Sequence, residues 1–422
     1  MHRRQLARFI IVAAVGAAAF AACAAGGSAG DRGEEVRVLP GLEVLLRDSA
    51  HLVRGKRVGF ITNQTAITSD GRSGIDLLHA SPEVNLVALF GPEHGLRGGI
   101  EGGEKIEGGI DAQTGVQVHS LYGATQRPTP EMLRNIDVLL FDMQDIGARP
   151  YTYVWTMAMA MEAAAAQKIP FVVLDRPNPI TRRMEGPLMQ MEMRRVAQAI
   201  TGYYPVPLRH GMTVGEIARY INSEYNIGAQ LTVVPIDGWS PDMWFDETGL
   251  PWINPSPNIR SLEAALNYAG LVLTEATNLT VGRGTPAPFT TVGAPWLDAA
   301  RLLERVSQYD IPGVRLDTTS YTPEGEGWVP FRGERVRAVR ITITDRDAYK
   351  PVWLTLVLLS EIKRQHPAEF KILNSGFTQM LGSHRAREAF DRGDDPRDIW
   401  QRWERELQAW SAVRSRYLLY QR

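Results

Sequence analysis

Six short apolar runs separated by helix-like stretches decide most of what this chain can fold into; they span 57–61, 85–90, 117–121, 138–142, 171–175 and 231–235. Their side chains are mostly β-branched or apolar without alternation, the pattern of strands buried on both faces of a parallel sheet. Helical signals lie between them. Thr129-Pro130-Glu131 offers an N-cap followed by a proline at the first helical position. Residues 153–167 are rich in Ala and Met, good helix formers. Thr213 with Glu216 forms a capping box ahead of an apolar stretch. Such alternation predicts a doubly wound α/β fold. Functional residues then belong at the carboxyl ends of the strands.

After residue 237 the pattern changes. Residues 237–261 are dense in Trp, Pro and Asn and read as an ordered irregular connection. Beyond it, 271–274 and 338–344 are strand-like, while 298–308, 351–365 and 398–417 read as helices. The expected organisation is a Rossmann-like domain over 37–250 and a smaller α+β domain over 251–422 that closes a cleft against it. The 422 residues suit two domains, and a mean hydropathy of −0.18 describes a water-soluble globule. A net charge of −1 offers no general attraction for nucleic acid.

The start of the chain is different in kind. Arg3, Arg4 and Arg8 precede an apolar run that ends in Phe20-Ala21-Ala22-Cys23. A charged start, short apolar core and small-residue end predict a signal peptide over 1–22. The ending resembles a bacterial lipobox, which makes Cys23 a candidate lipidation site and the only expected membrane link. Plain cleavage after an Ala-x-Ala site is the alternative. Residues 23–36, rich in Ala, Gly and Ser, read as a flexible tether. The expected location is therefore the cell envelope or the exterior. Cys23 is also the single cysteine of the chain, which excludes an internal disulfide or a cysteine-based zinc site.

Four clusters carry the candidate chemistry. Gly91-Pro92-Glu93-His94-Gly95-Leu96-Arg97-Gly98 presents a carboxyl group suited to proton transfer, with His94 beside it and Arg97 placed to tune it. A loop-bracing Glu–Arg pair is the competing reading. Residues 141–153 add Asp142, Asp145, Arg149 and Tyr151, and Asp145 is the expected second carboxylate. Asn178 and Glu185 lie in a third cluster, Asn278 and Arg283 in a fourth, and Asn63 follows the first strand. No second histidine stands at helical spacing from His94, so no metal is expected. No G-x-G-x-x-G or Walker loop appears, so no nucleotide and no other cofactor is expected.

In order along the chain stand GPEHGLRG (91–98), SLYG (120–123), FDMQDIGARPYTY (141–153), DRPNP (175–179) with EGP (185–187), RHGMTVGE (209–216), TNLTVGRGTPAPF (277–289), GAPW (293–296) and RYLLY (416–420). Together they resemble the exo-β-N-acetylmuramidase family typified by NamZ, over 36–422. The resemblance implies a Rossmann-like domain with a smaller C-terminal domain and a cleft between them. It implies removal of N-acetylmuramic acid (MurNAc) from non-reducing ends of peptidoglycan fragments, MurNAc–GlcNAc saccharides being the partners. Glu93 would be the general acid. His94, Arg97, Asn63, Tyr151, Asn178, Glu185 and Asn278 would line the cleft, and Arg283 or Arg149 would meet the lactyl carboxylate. Pro150 and the 180–183 stretch depart from the family pattern. A muropeptide-binding lipoprotein, or a hydrolase of another cell-wall sugar, is the alternative function.

Overall fold

A computed structural model describes residues 37–98, 108–194, 201–373 and 375–420. The expected leader over 1–22, the expected tether over 23–36 and Cys23 lie outside the described residues. The first half holds strands β1 (Arg57–Thr62), β2 (Asn85–Gly91), β3 (Gly109–Ile110), β4 (Gln117–Ser120), β5 (Val138–Asp142), β6 (Phe171–Leu174), β7 (Glu185–Leu188), β8 (Pro207–Arg209) and β9 (Leu231–Val234). Seven of them form one sheet in the order β3-β4-β2-β1-β5-β6-β9, parallel except for β3. Without β3 this is the doubly wound order, whose direction reverses between β1 and β5. Carboxyl-end loops diverge at that reversal, and Glu93 and the 143–152 loop emerge beside it.

The six apolar runs are the six long-range strands of this sheet. All five residues of β5 are buried, as the unbroken apolar pattern requires. The helix Tyr153–Ala166 is buried almost all round, which explains why its sequence is apolar on every face. Thr129 caps Pro130–Leu133, and Thr213 and Glu216 form the expected capping box of Val214–Glu224. β7 and β8 pair as a separate antiparallel hairpin.

The second half contains β10 (Thr291–Ala294), β11 (Val314–Tyr321) and β12 (Val336–Ile343), an antiparallel sheet in the order β10-β12-β11. Helices Pro351–Gln365 and Pro396–Arg414 follow, close to expectation. Residues 271–274 are not a strand. They end the helix Leu262–Leu271 and begin the 3₁₀ turn Val272–Ala276. A short apolar run has the same composition in either state, and tertiary packing decides it. Here a Cβ on Gly270 would stand 2.2 Å from the Pro351 carbonyl, so two helix backbones touch at that point. One apolar cluster runs from Ile61 to Tyr417, so the two sheets share a core.

Candidate active site

The turn after β2 builds the first wall. Gly95 N–H closes it onto the Pro92 carbonyl at 3.1 Å, and His94 takes a φ of 70° at its third position. That left-handed backbone is costly for a side-chain-bearing residue and is concentrated at functional sites. It leaves Glu93 half-buried on the wall of a cavity of about 350 Å³. Thr152 Oγ1 donates to Glu93 Oε2 at 2.9 Å, and the Tyr122 phenol lines the same cavity within the field of that carboxylate. Burial, reinforced by the Glu93 charge, pushes the Tyr122 phenol upward, so it remains a donor at neutral pH.

Opposite elements come from the second half of the chain. Glu275, in the 3₁₀ turn, lines the same cavity and is ion-paired with Arg283 Nε. The Arg283 guanidinium stands 5.5 Å from the Phe289 ring centre and 5.2 Å from that of Trp328. Tyr268 joins the two walls. Its phenol is driven far above the ordinary range, first by burial, then by the fields of Glu275, Glu93 and Asp145 against that of Arg283. Its ring meets Tyr151 at 5.9 Å and Phe289 at 5.1 Å, both edge-on. The cavity thus has carboxylates on two walls, a guanidinium and an aromatic lining.

Four expected site residues, Glu93, His94, Tyr151 and Arg283, line this cavity. The others face elsewhere. Arg149 is 1% exposed and donates to the carbonyls of Pro187 and Val206 at 3.0 and 2.9 Å, and to that of Met380. Burial lowers it to about 9. It staples the β7–β8 hairpin instead of facing substrate. Arg97 turns to Asp111 at 2.8 Å and Asp76 at 3.1 Å, so it braces its loop and does not tune Glu93. Glu185 pairs with Arg209 at 2.6 Å and accepts from Val352 N, both members buried. Asn178 joins Met212 O to Ile180 N, and Asn278 ties its loop to Glu369 O and Lys371 N. Asn63 Oδ1 accepts from Thr65 N and Oγ1 within its own turn. Each of these amides closes a loop.

Asp145 lies beneath the wall, 4% exposed. Its Oδ2 accepts from Gly147 N at 2.7 Å and sits 3.1 Å from His210 Nε2. His210 Nδ1 accepts from Met212 N–H, so the ring proton of the neutral imidazole is on Nε2 and is donated to Asp145. Gly147 itself has a φ of 80°, and a Cβ there would stand 2.6 Å from Asn178 Oδ1. The carboxylate that shares the cavity with Glu93 is therefore Glu275 and not Asp145. Glu275 stands two residues before the TNLTVGRGTPAPF motif, and its sequence context alone does not single it out. Tyr268 gave no signal at all, being one apolar-run residue of a helix.

Of the two departures from the family pattern, Pro150 lines the cavity. The 180–183 stretch does not. Thr181 holds a φ of 66°, Arg182 pairs with Asp242 at 2.8 Å, and Arg183 pairs with Asp347 at 2.9 Å.

The comparisons with known proteins agree with this architecture in both halves. The family described as exo-β-N-acetylmuramidase NamZ, N-terminal, matches residues 58–263, and its C-terminal counterpart matches 266–420. The chain belongs to the NamZ family. The peptidoglycan β-N-acetylmuramidase NamZ of Bacillus subtilis is 40% identical over 402 residues, covering 95% of each chain. Two crystal structures of DUF1343 family proteins from Bacteroides fragilis share the fold. One superposes with a TM-score of 0.84 at 33% identity, covering 92% of this chain and 100% of its own. The other gives 0.73 at 27% identity, covering 91% and 99%. Family membership accounts for the ordered motifs; the cavity shows which of their residues line open volume.

Proposed function

We propose that this chain is an exo-acting glycoside hydrolase that releases MurNAc from non-reducing ends of peptidoglycan fragments, with Glu93 as general acid. The observation that supports the reading is Glu93 on the wall of a cavity of about 350 Å³, its carboxylate oriented by Thr152. Likeness over 95% of its length to a peptidoglycan β-N-acetylmuramidase supports the same substrate class.

The step needs two groups. Protonated Glu93 transfers its proton to the glycosidic oxygen as the C1–O bond breaks, and the bonding pair leaves with the GlcNAc hydroxyl. Glu275, fixed by Arg283, faces the positive charge that develops at C1. A water then adds at C1 and returns a proton to Glu93. Arg283 is also the guanidinium on this wall that answers the lactyl carboxylate, since burying that charge without a cation costs several kcal/mol. His94 and Tyr151 complete the sugar's enclosure.

Chromogenic β-MurNAc and β-GlcNAc glycosides test the reading. Turnover of the MurNAc glycoside with clear preference over GlcNAc is expected. Preference for GlcNAc would overturn it, and tight MurNAc binding without turnover would favour a muropeptide-binding protein.

Export and lipidation belong to the same proposal. They are supported by Arg3, Arg4, Arg8 and the apolar run ending at Cys23. Cys23→Ser should release the protein from membranes into the soluble envelope or external fraction; unchanged membrane association would contradict an anchor at Cys23.

A further inference from the structure

The active-site cavity is not the end of the cleft. Past Arg283 and Trp328 a second cavity of about 480 Å³ opens, and it shares Asn258, Arg283 and Trp328 with the first. The two differ in character. The inner one is walled by buried rings, Tyr151, Tyr268 and Phe289. The outer one is bordered by exposed residues, including Arg260, Glu324 and Glu326.

Trp328 stands between them with 53% of its surface exposed, one of four large hydrophobic residues so exposed among those described. What sets this indole apart is its place, on the border that the two cavities share. Its position is also held: the Arg283 guanidinium packs 5.2 Å from the ring centre. Arg260, on the far rim, donates through Nε to the Pro257 carbonyl at 2.8 Å and makes no ion pair among the described residues. With Arg283 already paired with Glu275, the rest of the outer lining carries Arg260 against Glu324 and Glu326, so it holds no excess of positive charge to select an anion. It offers an aromatic face ringed by donors and acceptors of both signs. That combination suits a neutral, hydroxyl-rich ring with an apolar C–H face.

We propose that the outer cavity is the subsite for the sugar on the leaving-group side of the scissile bond, an uncharged N-acetylhexosamine, and that Trp328 is its stacking platform. The proposal rests on the muramidase reading of the inner cavity. An exo-acting enzyme must close around the terminal sugar and stay open where the rest of the chain departs. The buried inner wall and the exposed outer wall divide these tasks.

The test compares two substrates that share the terminal sugar. β-MurNAc fluoride has a leaving group with no ring to stack, whereas the MurNAc–GlcNAc disaccharide fills both cavities. In Trp328→Ala, the ratio of kcat/KM for the disaccharide to that for the fluoride should fall about tenfold, mostly through KM, and Trp328→Tyr should restore most of it. Arg260→Ala, which touches only the outer cavity, should lower the same ratio by a smaller factor. A ratio unchanged in Trp328→Ala, or equal losses on both substrates, would overturn the subsite. Greater loss on MurNAc bearing a stem peptide than on the unsubstituted disaccharide would also overturn it, by assigning the cavity to the peptide. Failure of the wild-type enzyme to cleave either substrate would instead refute the muramidase reading.

Discussion

The cavity wall and the polar layer beneath it are built from the same motifs, yet they behave as opposites. Beneath the wall, charged groups are turned inward onto protein partners: Arg176 with Asp142, Arg209 with Glu185, Asp145 with His210, and Arg149 with three carbonyls. On the wall, Glu93, Tyr122, Tyr268, Glu275 and Arg283 surround open volume. The lower layer costs desolvation and returns shape, fixing the loops that leave β1, β5 and β6. The upper layer keeps groups that a substrate can reach. Occurrence in a motif does not separate the two; burial and partners do.

The comparison breaks most visibly at Glu93. Glu93→Gln should reduce turnover of the MurNAc–GlcNAc disaccharide by about 10²–10⁴-fold. Its thermal midpoint should stay near that of the wild type, because the carboxylate faces the cavity. A lowered midpoint with modest activity loss would place Glu93 with the bracing layer.

The reverse pattern is expected below. Glu185→Gln leaves the Arg209 guanidinium buried without its countercharge, which costs about 3–5 kcal/mol. Denaturant unfolding should show that loss, while the folded fraction keeps the wild-type KM. Altered KM at unchanged stability would move Glu185 to the site.

The two arginines of the glycine-containing motifs sharpen the contrast. Arg283→Ala should lower selectivity for MurNAc over GlcNAc glycosides by about one to two decades, the scale of one charge-assisted pair. Arg149→Ala should lower stability and leave selectivity alone. Equal loss of both sugars in Arg283→Ala would reduce Arg283 to a partner of Glu275.

The smallest effect concerns Asp111, whose carboxyl Arg97 holds at about 2, below its ordinary 3.8. Between these values the unfolded chain binds the proton that the folded chain refuses. The stabilisation is therefore complete above about pH 4 and lost as pH falls through 2. With Arg97 about a third exposed, Asp111→Asn should cost about 1–2 kcal/mol at pH 7 and progressively less towards pH 2, with kcat unchanged. A gap independent of pH would contradict the pairing.

Much of the fold was legible because the central strands β1, β2, β5 and β6 are largely apolar, buried runs and several helices open on a side-chain cap, whereas the outer strands β4 and β9 are only partly buried. The β7–β8 hairpin was not, since Glu185-Gly186-Pro187-Leu188 lacks any strand periodicity and is held by Arg149 and Arg209 from beneath. β3 is two residues long and carries no pattern. The site was legible as a set of loops and at Glu93, whose turn announces itself through Gly and Pro. Which arginine faces the sugar was not legible. Arg149 is decided by carbonyls 38, 57 and 231 residues away. Glu275 was obscured for a related reason, because the strand expected before it is a helix end that turns it into the cavity.

Proton donation by Glu93 is tested most directly by varying the leaving group. The natural GlcNAc hydroxyl is a poor leaving group that needs a proton, whereas a dinitrophenolate needs almost none. In Glu93→Gln, the loss of kcat/KM relative to wild type should be large on the disaccharide and should shrink steadily across aryl β-MurNAc glycosides as the phenol becomes more acidic. A loss of the same size on every leaving group would contradict the assignment of Glu93 as the acid.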